Sequence, residues 1–374
     1  MTDSTSSHQM YMQRALELAE QGRGRTAPNP AVGAVIVKDD QIIGAGFHPQ
    51  AGLPHAEVYA LDQAGTAARG ADIYVTLEPC SHVGRTPACA LALIAAGIRR
   101  VFVAVIDPNP RVSGAGISLL REAGIIVEVG LCQAQAADLI AGFSKHLRSG
   151  HPWTIYKAAM TLDGHTATAG GDSRWISCEE SRLRVHRLRN RVEAIMVGIE
   201  TVLKDDPLLN VRLPGEQTRD PLRVVVDSRL RFPLTAKMLT QPSPAATLIA
   251  TCCNDSARIN AVTAAGAEVL VLPGTDAGHV NLLALWDELG RRQIQHLLLE
   301  GGSTLATSAW QECLIDELMV FVAPRLVGGC PTSGLFAGSG ATLMADSAML
   351  DDVRHETSGT DLLIRAKVQT CLLD

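Results

Sequence analysis

Short apolar segments alternate with segments of helical periodicity along the chain, and this alternation begins again after residue 152. Such alternation is typical of layered α/β domains, in which helices pack on a sheet. At ~150 residues per domain, a chain of 374 residues favours two domains. In the first half we expect strands at 31–37, 42–46, 73–77, 101–106 and 125–129, and helices at 9–21, 55–64, 88–96 and 118–123.

The second half has the same kind of alternation but no sequence similarity to the first. Ser177 and Glu180 have the spacing of a capping box, which predicts the start of a helix. The turn at 149–152 marks a boundary, so we expect domains of residues 1–148 and 149–374 with different tasks. Further helices are expected at 281–291 and 303–312, and strands at 154–161, 194–197, 222–226, 247–250, 268–271, 296–299, 318–322 and 362–368.

Composition narrows the partners of the chain. The 33 Lys and Arg residues against 39 Asp and Glu give a net charge of −6, and aromatic residues are few. A broad basic face or an aromatic platform for a nucleic acid is therefore disfavoured. No apolar run reaches the ~18 residues that span a membrane. Nine irregularly spaced Cys residues favour reduced thiols and therefore a cytoplasmic location. Together with the charge and the apolar runs, this predicts a protein without membrane or nucleic-acid partners.

His55, Cys80 and Cys89 form a candidate zinc site. One imidazole and two thiolates supply three protein ligands and leave the fourth tetrahedral position open, as in catalytic rather than structural zinc sites. Glu57 follows His55 in the H-x-E pattern of zinc-dependent deaminases, where the glutamate is not a ligand. That pattern has two residues between the cysteines, whereas this chain has eight, 81–88.

The expected secondary structure suits this chemistry, because His55 opens a predicted helix and Cys80 follows a predicted strand. Helix N-termini favour negative charge and thus thiolates. We expect Glu57 to take a proton from the activated water and to deliver it to a ring nitrogen and then to the departing amine. Any one His or Cys in such a segment is more often core filling, so the joint pattern carries the prediction.

Three strand ends in the second half are candidates for a nucleotide site, although no G-x-G-x-x-G motif opens a helix there. The segment 299–303 runs from a strand into a helix, and its glycines allow close approach of a diphosphate. The segment 197–201 places a glycine and a hydroxyl at a strand end. The segment 226–229 adds a hydroxyl and a cation, which suits a 2′-phosphate. Each segment alone is also typical of an ordinary turn.

The stretch 79–89, Pro-Cys-Ser-His-Val-Gly-Arg-Thr-Pro-Ala-Cys, resembles the signature of the bifunctional deaminase/reductase family of riboflavin biosynthesis, in which a long loop between the cysteines is usual. The resemblance extends from about residue 12 to about residue 368. It implies an N-terminal cytidine-deaminase-like three-layer domain and a C-terminal dihydrofolate-reductase-like domain that uses NADPH. The other matching segments are 29–33 and 44–48 in the first half and 157–164, 173–177, 186–189 and 198–212 in the second.

The resemblance also implies a substrate, 2,5-diamino-6-(5-phosphoribosylamino)pyrimidin-4-one. Zinc-dependent hydrolysis would replace the amine on ring C2 by oxygen, and NADPH would then reduce the ribosyl group to a ribityl chain. In the deaminase half, His48, His82 and Arg85 are candidates for the ribose phosphate or the pyrimidinone oxygen, and the Asn29 amide for the ring edge. His48 and Arg85 are equally consistent with a solvated loop.

For the reductase half, the resemblance places one group of residues at the substrate and one at NADPH. Arg189 and Arg212 suit a phosphate, because a guanidinium can bind it with two hydrogen bonds. Lys157, Asp205 and Glu300 are the expected catalytic groups, with their order left open. Substrate-facing residues are Ser173, Arg189, Leu209, Arg212 and Glu300. NADPH-facing residues are Ala159, Trp175, Thr201, Asp205, Ser228 and the turn 302–308, with Gly302, Ser303 and Thr304.

Two other functions share parts of these patterns. A nucleic-acid or nucleoside deaminase with an accessory domain would have the same zinc site, but the net charge of −6 and the motifs at 173–175 and 300–302 count against it. A non-enzymatic module with structural zinc would have no use for Glu57 beside an open position. The resemblance further implies a small-molecule substrate and a homodimer or homotetramer.

Overall fold

The computed structural model of the protein describes residues 3–81, 88–110, 112–329 and 334–369. The chain forms two compact units, residues 1–150 and 151–374, each with its own sheet and hydrophobic core. Both units are built from alternating strands and helices, as the apolar patterning predicts. Within the described ranges, no helix is long and apolar enough to cross a membrane.

Among the described residues, the first unit is organised around a five-stranded sheet. Its strands are β1 (Gly33–Lys38), β2 (Gln41–Phe47), β3 (Asp72–Val75), β4 (Arg100–Val103) and β5 (Ile126–Val129). They lie in the order β2-β1-β3-β4-β5; β1 runs antiparallel to β2 and β3, whereas β3, β4 and β5 are parallel. The helices are α1 (Asp3–Gly22), α2 (Ala56–Ala64), α3 (Cys89–Ala96), α4 (Ala115–Glu122), α5 (Gln133–Leu139) and α6 (Ala141–Ser149).

Helices cover both faces of this sheet, which gives three layers. Buried side chains of α2, α3 and α4 pack on one face against Ile36, Ile73 and Val101. On the other face, α1 and α5 pack against Tyr74 and Phe102, whose rings stack with centroids 4.6 Å apart. Strands β1, β3 and β4 are therefore buried between two helical layers, and only their ends and the connecting loops are available to a ligand.

The second unit contains a sheet of nine strands among the described residues. They are β6 (Trp153–Thr161), β7 (Ala194–Gly198), β8 (Leu222–Val226), β9 (Thr247–Thr251), β10 (Glu268–Val271), β11 (His296–Glu300), β12 (Glu317–Ala323), β13 (Leu350–Ser358) and β14 (Asp361–Val368). The order is β10-β9-β8-β7-β11-β6-β12-β14-β13, parallel from β10 to β12 and antiparallel beyond. The helices are α7 (Glu179–Arg189), α8 (Ile199–Asp205), α9 (Lys237–Thr240), α10 (Ser256–Ala264), α11 (Leu282–Arg291) and α12 (Ser303–Gln311).

The carboxyl ends of β8, β7, β11 and β6 lie side by side in this sheet. β11 pairs in parallel with both β7 and β6, and β7 pairs in parallel with β8. Helices α7, α8 and α10 cover one face, and α11 and α12 cover the other. In open α/β sheets, ligands bind outside the carboxyl ends of the strands. The three candidate strand ends from the sequence and the end of β6 are therefore neighbours at one edge.

Some elements differ from the sequence prediction. Helix α7 begins after Cys178, which is its N-cap, so the expected capping box of Ser177 and Glu180 is wrong. The start of α7 is instead held by Asp361, whose carboxylate accepts from the Cys178 N–H at 2.8 Å and from the Ser181 hydroxyl at 2.7 Å. Strand β13 was not predicted, because it is exposed along most of its length and lacks apolar alternation.

Candidate active sites

The loop after β3 and the starts of α2 and α3 bring His55, Cys80 and Cys89 together, as predicted for a metal site. Their ligand atoms all lie within 4.8 Å of one another. The Nδ1 atom of His55 is 3.2 Å from the sulfur of Cys89 and 3.6 Å from that of Cys80. The loop candidates His82 and Arg85 lie outside the described residues.

Helix starts explain this convergence. His55 is the N-cap of α2, and Cys89 is the first residue of α3. The backbone N–H of Cys89 donates to the Cys80 sulfur at 3.3 Å, because the first amides of a helix have no partner within it. A hydrogen bond between the two thiols lowers the pKa of Cys80 to about 4 and raises the pKa of Cys89. One imidazole and two thiols, one of them readily ionised, are a donor set that fits Zn²⁺.

Glu57 lies in the first turn of α2 beside this set. Its side chain is 3% exposed, and within the described part of the chain its Oε2 atom has no hydrogen-bond partner. Burial raises the pKa of Glu57 to about 7, and the carboxyl group interacts with the thiols of Cys80 and Cys89. A carboxyl group with this pKa can take up and release a proton near neutral pH.

Asn29 and His48 form a hydrogen-bonded pair next to His55. The amide nitrogen of Asn29 is 3.0 Å from His48 Nε2, and His48 Nδ1 is 3.0 Å from the carbonyl oxygen of Pro54. Because a carbonyl oxygen accepts, Nδ1 of His48 carries the proton and Nε2 accepts from Asn29. Burial lowers the pKa of His48, and its ring centroid lies 5.2 Å from that of His55. Both predicted residues are therefore close to the metal-binding set.

Glu78 is a buried residue of this region that the sequence patterns did not indicate. It stands two residues before Cys80, between β3 and the metal-binding loop. Its carboxylate accepts hydrogen bonds of 2.9–3.3 Å from the backbone N–H groups of Asp107, Gly114, Gly116 and Ile117. These hydrogen bonds join the loop after β4 and the start of α4 to the segment that carries Cys80.

At the carboxyl edge of the second sheet, Lys157 and Glu300 are register partners on β6 and β11. Glu300 also forms a two-pronged salt bridge with Arg189 of α7, Nε to Oε1 at 2.8 Å and Nη2 to Oε2 at 2.7 Å. Burial alone would raise the pKa of Glu300, but Arg189 and Lys157 lower it to about 2. Burial lowers the pKa of Lys157. Glu300 is therefore a stable anion between two cations.

Arg212, in the loop after α8, contacts His186 and Asn210. Its backbone N–H donates to His186 Nδ1 at 3.2 Å, and its Nη2 atom is 3.3 Å from His186 Nε2. Asn210 connects the two arginines, because its side-chain oxygen accepts from Arg212 at 3.2 Å and its carbonyl from Arg189 at 3.1 Å. His186 lies in the matching segment 186–189, but the sequence assigned it no role; it stands three residues before Arg189 and so on the same helix face.

We call Lys157, His186, Arg189, Arg212 and Glu300 the basic pocket. Its two arginines and one lysine outnumber its single carboxylate, so basic groups exceed acidic ones in this set although the chain has a net charge of −6. Burial and the two arginines lower the pKa of His186 to about 4. Burial and Arg189 lower the pKa of Arg212. Part of each shift comes from the neighbouring arginines, whose positive charge a bound anion would offset.

The glycine pair after β11 forms a compact turn on Thr201, one of the two predicted cofactor residues of α8. Gly301 and Gly302 have φ angles of 75° and 74°, which favour glycine. A Cβ atom at Gly301 would lie 3.3 Å from the Thr201 hydroxyl oxygen, so the turn packs closely on the start of α8. Helix α12 begins at Ser303. The backbone N–H groups of its first turn, which include those of Ser303 and Thr304, suit a phosphate.

Three other expected cofactor residues have polar or cationic neighbours. The Ser228 hydroxyl oxygen accepts a backbone N–H at 3.1 Å, which leaves its own proton for another acceptor. Trp175 is 59% exposed, with the guanidinium of Arg182 4.8 Å from its ring centroid. Asp205 ends α8 and pairs with Arg174, Oδ1 to Nη2 at 3.6 Å.

The remaining predicted residues differ in accessibility. Ala159 of β6 is half-buried and packs on the core. Ser173 is half-buried in the loop between β6 and α7. Leu209 is 3% exposed, and its side chain belongs to the core, so its backbone is the part that can reach a ligand. The structure therefore brings Lys157, Glu300 and the arginines together but does not put the Leu209 side chain in the site.

Taken together, the fold and sites define a class: a two-domain α/β enzyme with a deaminase-type metal site in one unit and a basic, nucleotide-type strand edge in the other. Family models agree. Residues 152–364 match the RibD C-terminal domain, and residues 5–105 match the cytidine and deoxycytidylate deaminase zinc-binding region.

Relatives match over nearly the whole chain. The riboflavin biosynthesis protein RibD of Aquifex aeolicus is 43% identical over 357 residues, which are 95% of this chain and 96% of that protein. That of Escherichia coli K12 is 43% identical over 358 residues, 92% of this chain and 95% of that protein. The chain therefore belongs to the RibD family.

Solved structures agree with this assignment. RibD of Acinetobacter baumannii has a TM-score of 0.83 and 41% identity, with 98% of this chain and 99% of that chain covered. A diaminohydroxyphosphoribosylaminopyrimidine deaminase/5-amino-6-(5-phosphoribosylamino)uracil reductase from Thermotoga maritima has a TM-score of 0.82 and 33% identity, with 97% and 99% covered.

These findings confirm the predicted fold class, the bifunctional riboflavin-pathway activity and the two cofactors. The first unit is a zinc-binding deaminase domain, and the second is an NADPH-dependent RibD reductase domain. Because the second unit is a reductase domain, it is not an accessory to a nucleic-acid deaminase.

Proposed function

We propose that the first unit deaminates 2,5-diamino-6-(5-phosphoribosylamino)pyrimidin-4-one at ring C2, and that the second reduces the ribosyl group of the product. The observation that carries this proposal is the combination of two sites in one chain. One is Glu57 beside a His-Cys-Cys set, and the other is the basic pocket at a nucleotide-type strand edge. The Thermotoga maritima protein is named for the same two activities.

For deamination, His55, Cys80 and Cys89 are the residues that would hold Zn²⁺. Zinc supplies Lewis-acid activation of water near neutral pH. Glu57 accepts a proton from the attacking water and passes it to a ring nitrogen; a second transfer releases the C2 amine as ammonia while the water oxygen stays on C2. Asn29, held by His48, presents its amide to the ring edge.

For reduction, the basic pocket binds the substrate phosphate and orients the open ribosylamine. NADPH supplies the hydride, which is added at C1′ of the ring-opened imine. Lys157 gives a proton to the imine nitrogen, because burial lowers its pKa and makes the ammonium a better acid. Glu300 keeps Arg189 fixed and stabilises the positive charge that develops on the imine. Asp205, paired with Arg174, belongs to the cofactor side in this assignment.

The cofactor and substrate residues follow the strand edge. Thr201, Ser228 and the turn that begins at Gly302 supply hydroxyl and backbone donors for the diphosphate and ribose groups of NADPH. Exposed Trp175 offers an aromatic face. The remaining proposed contacts are Ala159, Ser303 and Thr304 to the cofactor, and Ser173, the Leu209 backbone and Arg212 to the substrate.

The test is incubation of the zinc-loaded protein with the diaminopyrimidinone ribotide, with and without NADPH. We expect ammonia release without NADPH, and NADPH oxidation only with the deaminated product, 5-amino-6-(5-phosphoribosylamino)uracil, which we call the deaminated ribotide. Absence of NADPH oxidation with either pyrimidine would refute the proposed reduction. Ammonia release from cytidine but not from the ribotide would refute the proposed deaminase substrate.

We also propose that the protein forms a homodimer through the edge strand β13. β13 has no partner on its outer side among the described strands, and exposed apolar side chains lie on it and before it. Such an edge favours pairing with an identical strand, and an apolar patch favours a protein partner. The exposed residues are Leu343 (63%), Met344 (87%), Met349 (71%) and Val353 (57%).

Light scattering after size exclusion tests this proposal. Val353→Lys should shift the protein from dimer to monomer, whereas Val271→Lys, on the opposite edge strand β10, should leave the dimer intact. An unchanged dimer for Val353→Lys would refute this interface. A cytoplasmic location is proposed as well, supported by the irregular spacing of the nine cysteines, which favours reduced thiols.

A further inference from the structure

Two hydrogen-bond donors face each other in the basic pocket. The backbone N–H of Arg212 donates to His186 Nδ1 at 3.2 Å, so Nδ1 carries no proton. In a neutral imidazole the proton is then on Nε2. Nε2–H faces the Nη2 donor of Arg212 at 3.3 Å, and neither group can accept from the other. An acceptor that reaches both would satisfy them together, and an oxyanion is such an acceptor.

We propose that His186 donates its Nε2–H to a phosphate oxygen of the substrate, beside Arg212. This inference rests on the proposed reduction of a phosphorylated ribosylamine. It assigns His186 to binding, together with the two arginines that the sequence indicated. The arrangement is built from one helix face and one loop, because His186 and Arg189 lie three residues apart on α7.

The surroundings of His186 favour this role. The charged groups that face it are Arg189, Arg212 and Glu300, and a hydrogen bond between the ring and the Asn210 carbonyl, like Glu300, partly offsets the lowering of its pKa. Burial and the two arginines lower the pKa of His186 to about 4, so the ring is neutral at pH 7. A neutral donor adds a hydrogen bond without adding to the repulsion between the arginines. The ring can thus donate to a bound phosphate without adding positive charge to the basic pocket.

The competing explanation is structural: His186 would serve to hold the Arg212 backbone through Nδ1. Two variants distinguish these explanations, because one keeps the hydrogen-bond acceptor of the ring and the other keeps its donor. His186→Asn places an amide oxygen near the position of Nδ1 and so keeps the acceptor, but it loses the donor at Nε2. His186→Gln places an amide N–H near Nε2 and so keeps the donor, but it loses the acceptor at Nδ1.

We expect His186→Asn to raise the KM for the deaminated ribotide by roughly 10- to 100-fold with little change in kcat, as for loss of one hydrogen bond to a charged group. His186→Gln should raise KM much less. The corresponding riboside, which lacks the phosphate, should have the same KM with the wild-type protein and both variants. Arg187→Gln, next to His186 but half-exposed and paired with Glu216, is the matched control and should behave as wild type.

A direct binding measurement separates this inference from the proposed function. Line broadening of inorganic phosphate in ³¹P NMR should be seen with the wild-type protein and be lost in His186→Asn. That result would support the phosphate site even if the deaminated ribotide were not reduced. A His186→Gln variant as impaired as His186→Asn, or equal losses for ribotide and riboside, would overturn the inference and leave a structural role.

Discussion

Two buried carboxyl groups of this protein have opposite proton affinities because of their neighbours. Glu57 is buried without a cation that binds it, and burial raises its pKa to about 7. Glu300 is less completely buried, with 12% of its side chain exposed, and Arg189 and Lys157 lower its pKa to about 2. The first group can therefore exchange protons at neutral pH, whereas the second remains an anion. This difference matches a proton-transfer role for Glu57 and an orienting role for Glu300.

Glu57→Gln keeps the side-chain size but removes the proton acceptor. We expect ammonia release to fall by roughly 10²- to 10⁴-fold. Zinc content, measured by mass spectrometry, should be unchanged because Glu57 is not one of the three ligand residues. Asp62→Asn, exposed on the same helix, is the matched control and should retain the wild-type rate. Deamination that survives in Glu57→Gln would contradict the assigned role.

The salt bridge of Glu300 predicts a pH dependence of stability. Its pKa falls from 4.5 in the unfolded chain to about 2 in the folded protein. Between these values the unfolded state binds more protons, so stability rises with pH there; the contribution is complete above 4.5 and is lost as the pH falls through about 2. Calorimetry of the reductase transition, identified by its shift on adding NADPH, should show this loss.

Glu300→Gln should remove that acid dependence and lower the free energy of unfolding at pH 7 by roughly 3–5 kcal/mol, because Arg189 is left buried without its partner. Glu356→Gln removes an exposed salt bridge to Arg184 and should cost less than about 1 kcal/mol. An acid profile that is the same for wild type and Glu300→Gln would contradict the prediction.

At the scale of elements, the deaminase site depends on how closely α4 approaches the Cys80 loop. Gly116 in the first turn of α4 lies so near that a Cβ atom there would be 2.0 Å from the Pro79 carbonyl oxygen. This approach lets the Glu78 carboxylate accept from the amides at the start of α4. The position of Cys80 is thus set by a contact between two loops and a helix that are distant in sequence.

Gly116→Ala should therefore displace the Cys80 loop. We expect zinc affinity to fall by roughly 10- to 100-fold, as for residues that orient metal ligands. Competition with a chromogenic chelator measures this affinity. Ala115→Ser changes the neighbouring, exposed residue of the same turn and should leave the affinity unchanged. Wild-type zinc affinity in Gly116→Ala would show that the approach of α4 does not position Cys80.

Elements with strong apolar patterns could be predicted from sequence, and those fixed by tertiary contacts could not. Strands β7, β8 and β11 are buried apolar runs and were predicted close to their observed bounds. Strand β13 is exposed and polar, so its pairing with β14 has no signal in the sequence. The zinc ligands come from a compact motif. By contrast, the contact of His186 with Arg212 joins α7 to a distant loop, which spacing along the chain does not show.

For the whole molecule, the net charge of −6 excluded a broad basic surface but not a local one. Arg189 and Arg212 occupy the same pocket because α7 and the loop after α8 meet beside the carboxyl edge of the sheet.

Apolar patterning predicted two domains, and the chain does form two compact units. Each unit has its own sheet, core and candidate site, which has a direct consequence for activity.

Because the sites belong to separate units, the two reactions should be separable by mutation. Cys80→Ser should lose deamination but still reduce the supplied deaminated ribotide. Glu300→Gln should deaminate but lose reduction. Cys132→Ser, a thiol of the first unit outside the metal-binding set, is the matched control and should keep both activities.

An equal mixture of Cys80→Ser and Glu300→Gln, supplied with zinc, NADPH and the diaminopyrimidinone ribotide, should form the ribityl product. Each variant alone should not. The mixture is expected to form the ribityl product because the deaminated ribotide is a small, charged and water-soluble molecule. It can therefore leave one chain and bind to another. Product analysis by mass spectrometry measures the conversion. If each variant keeps its single reaction but the mixture forms no ribityl product, the intermediate reaches only the reductase site of the chain that made it, and the two units do not act independently.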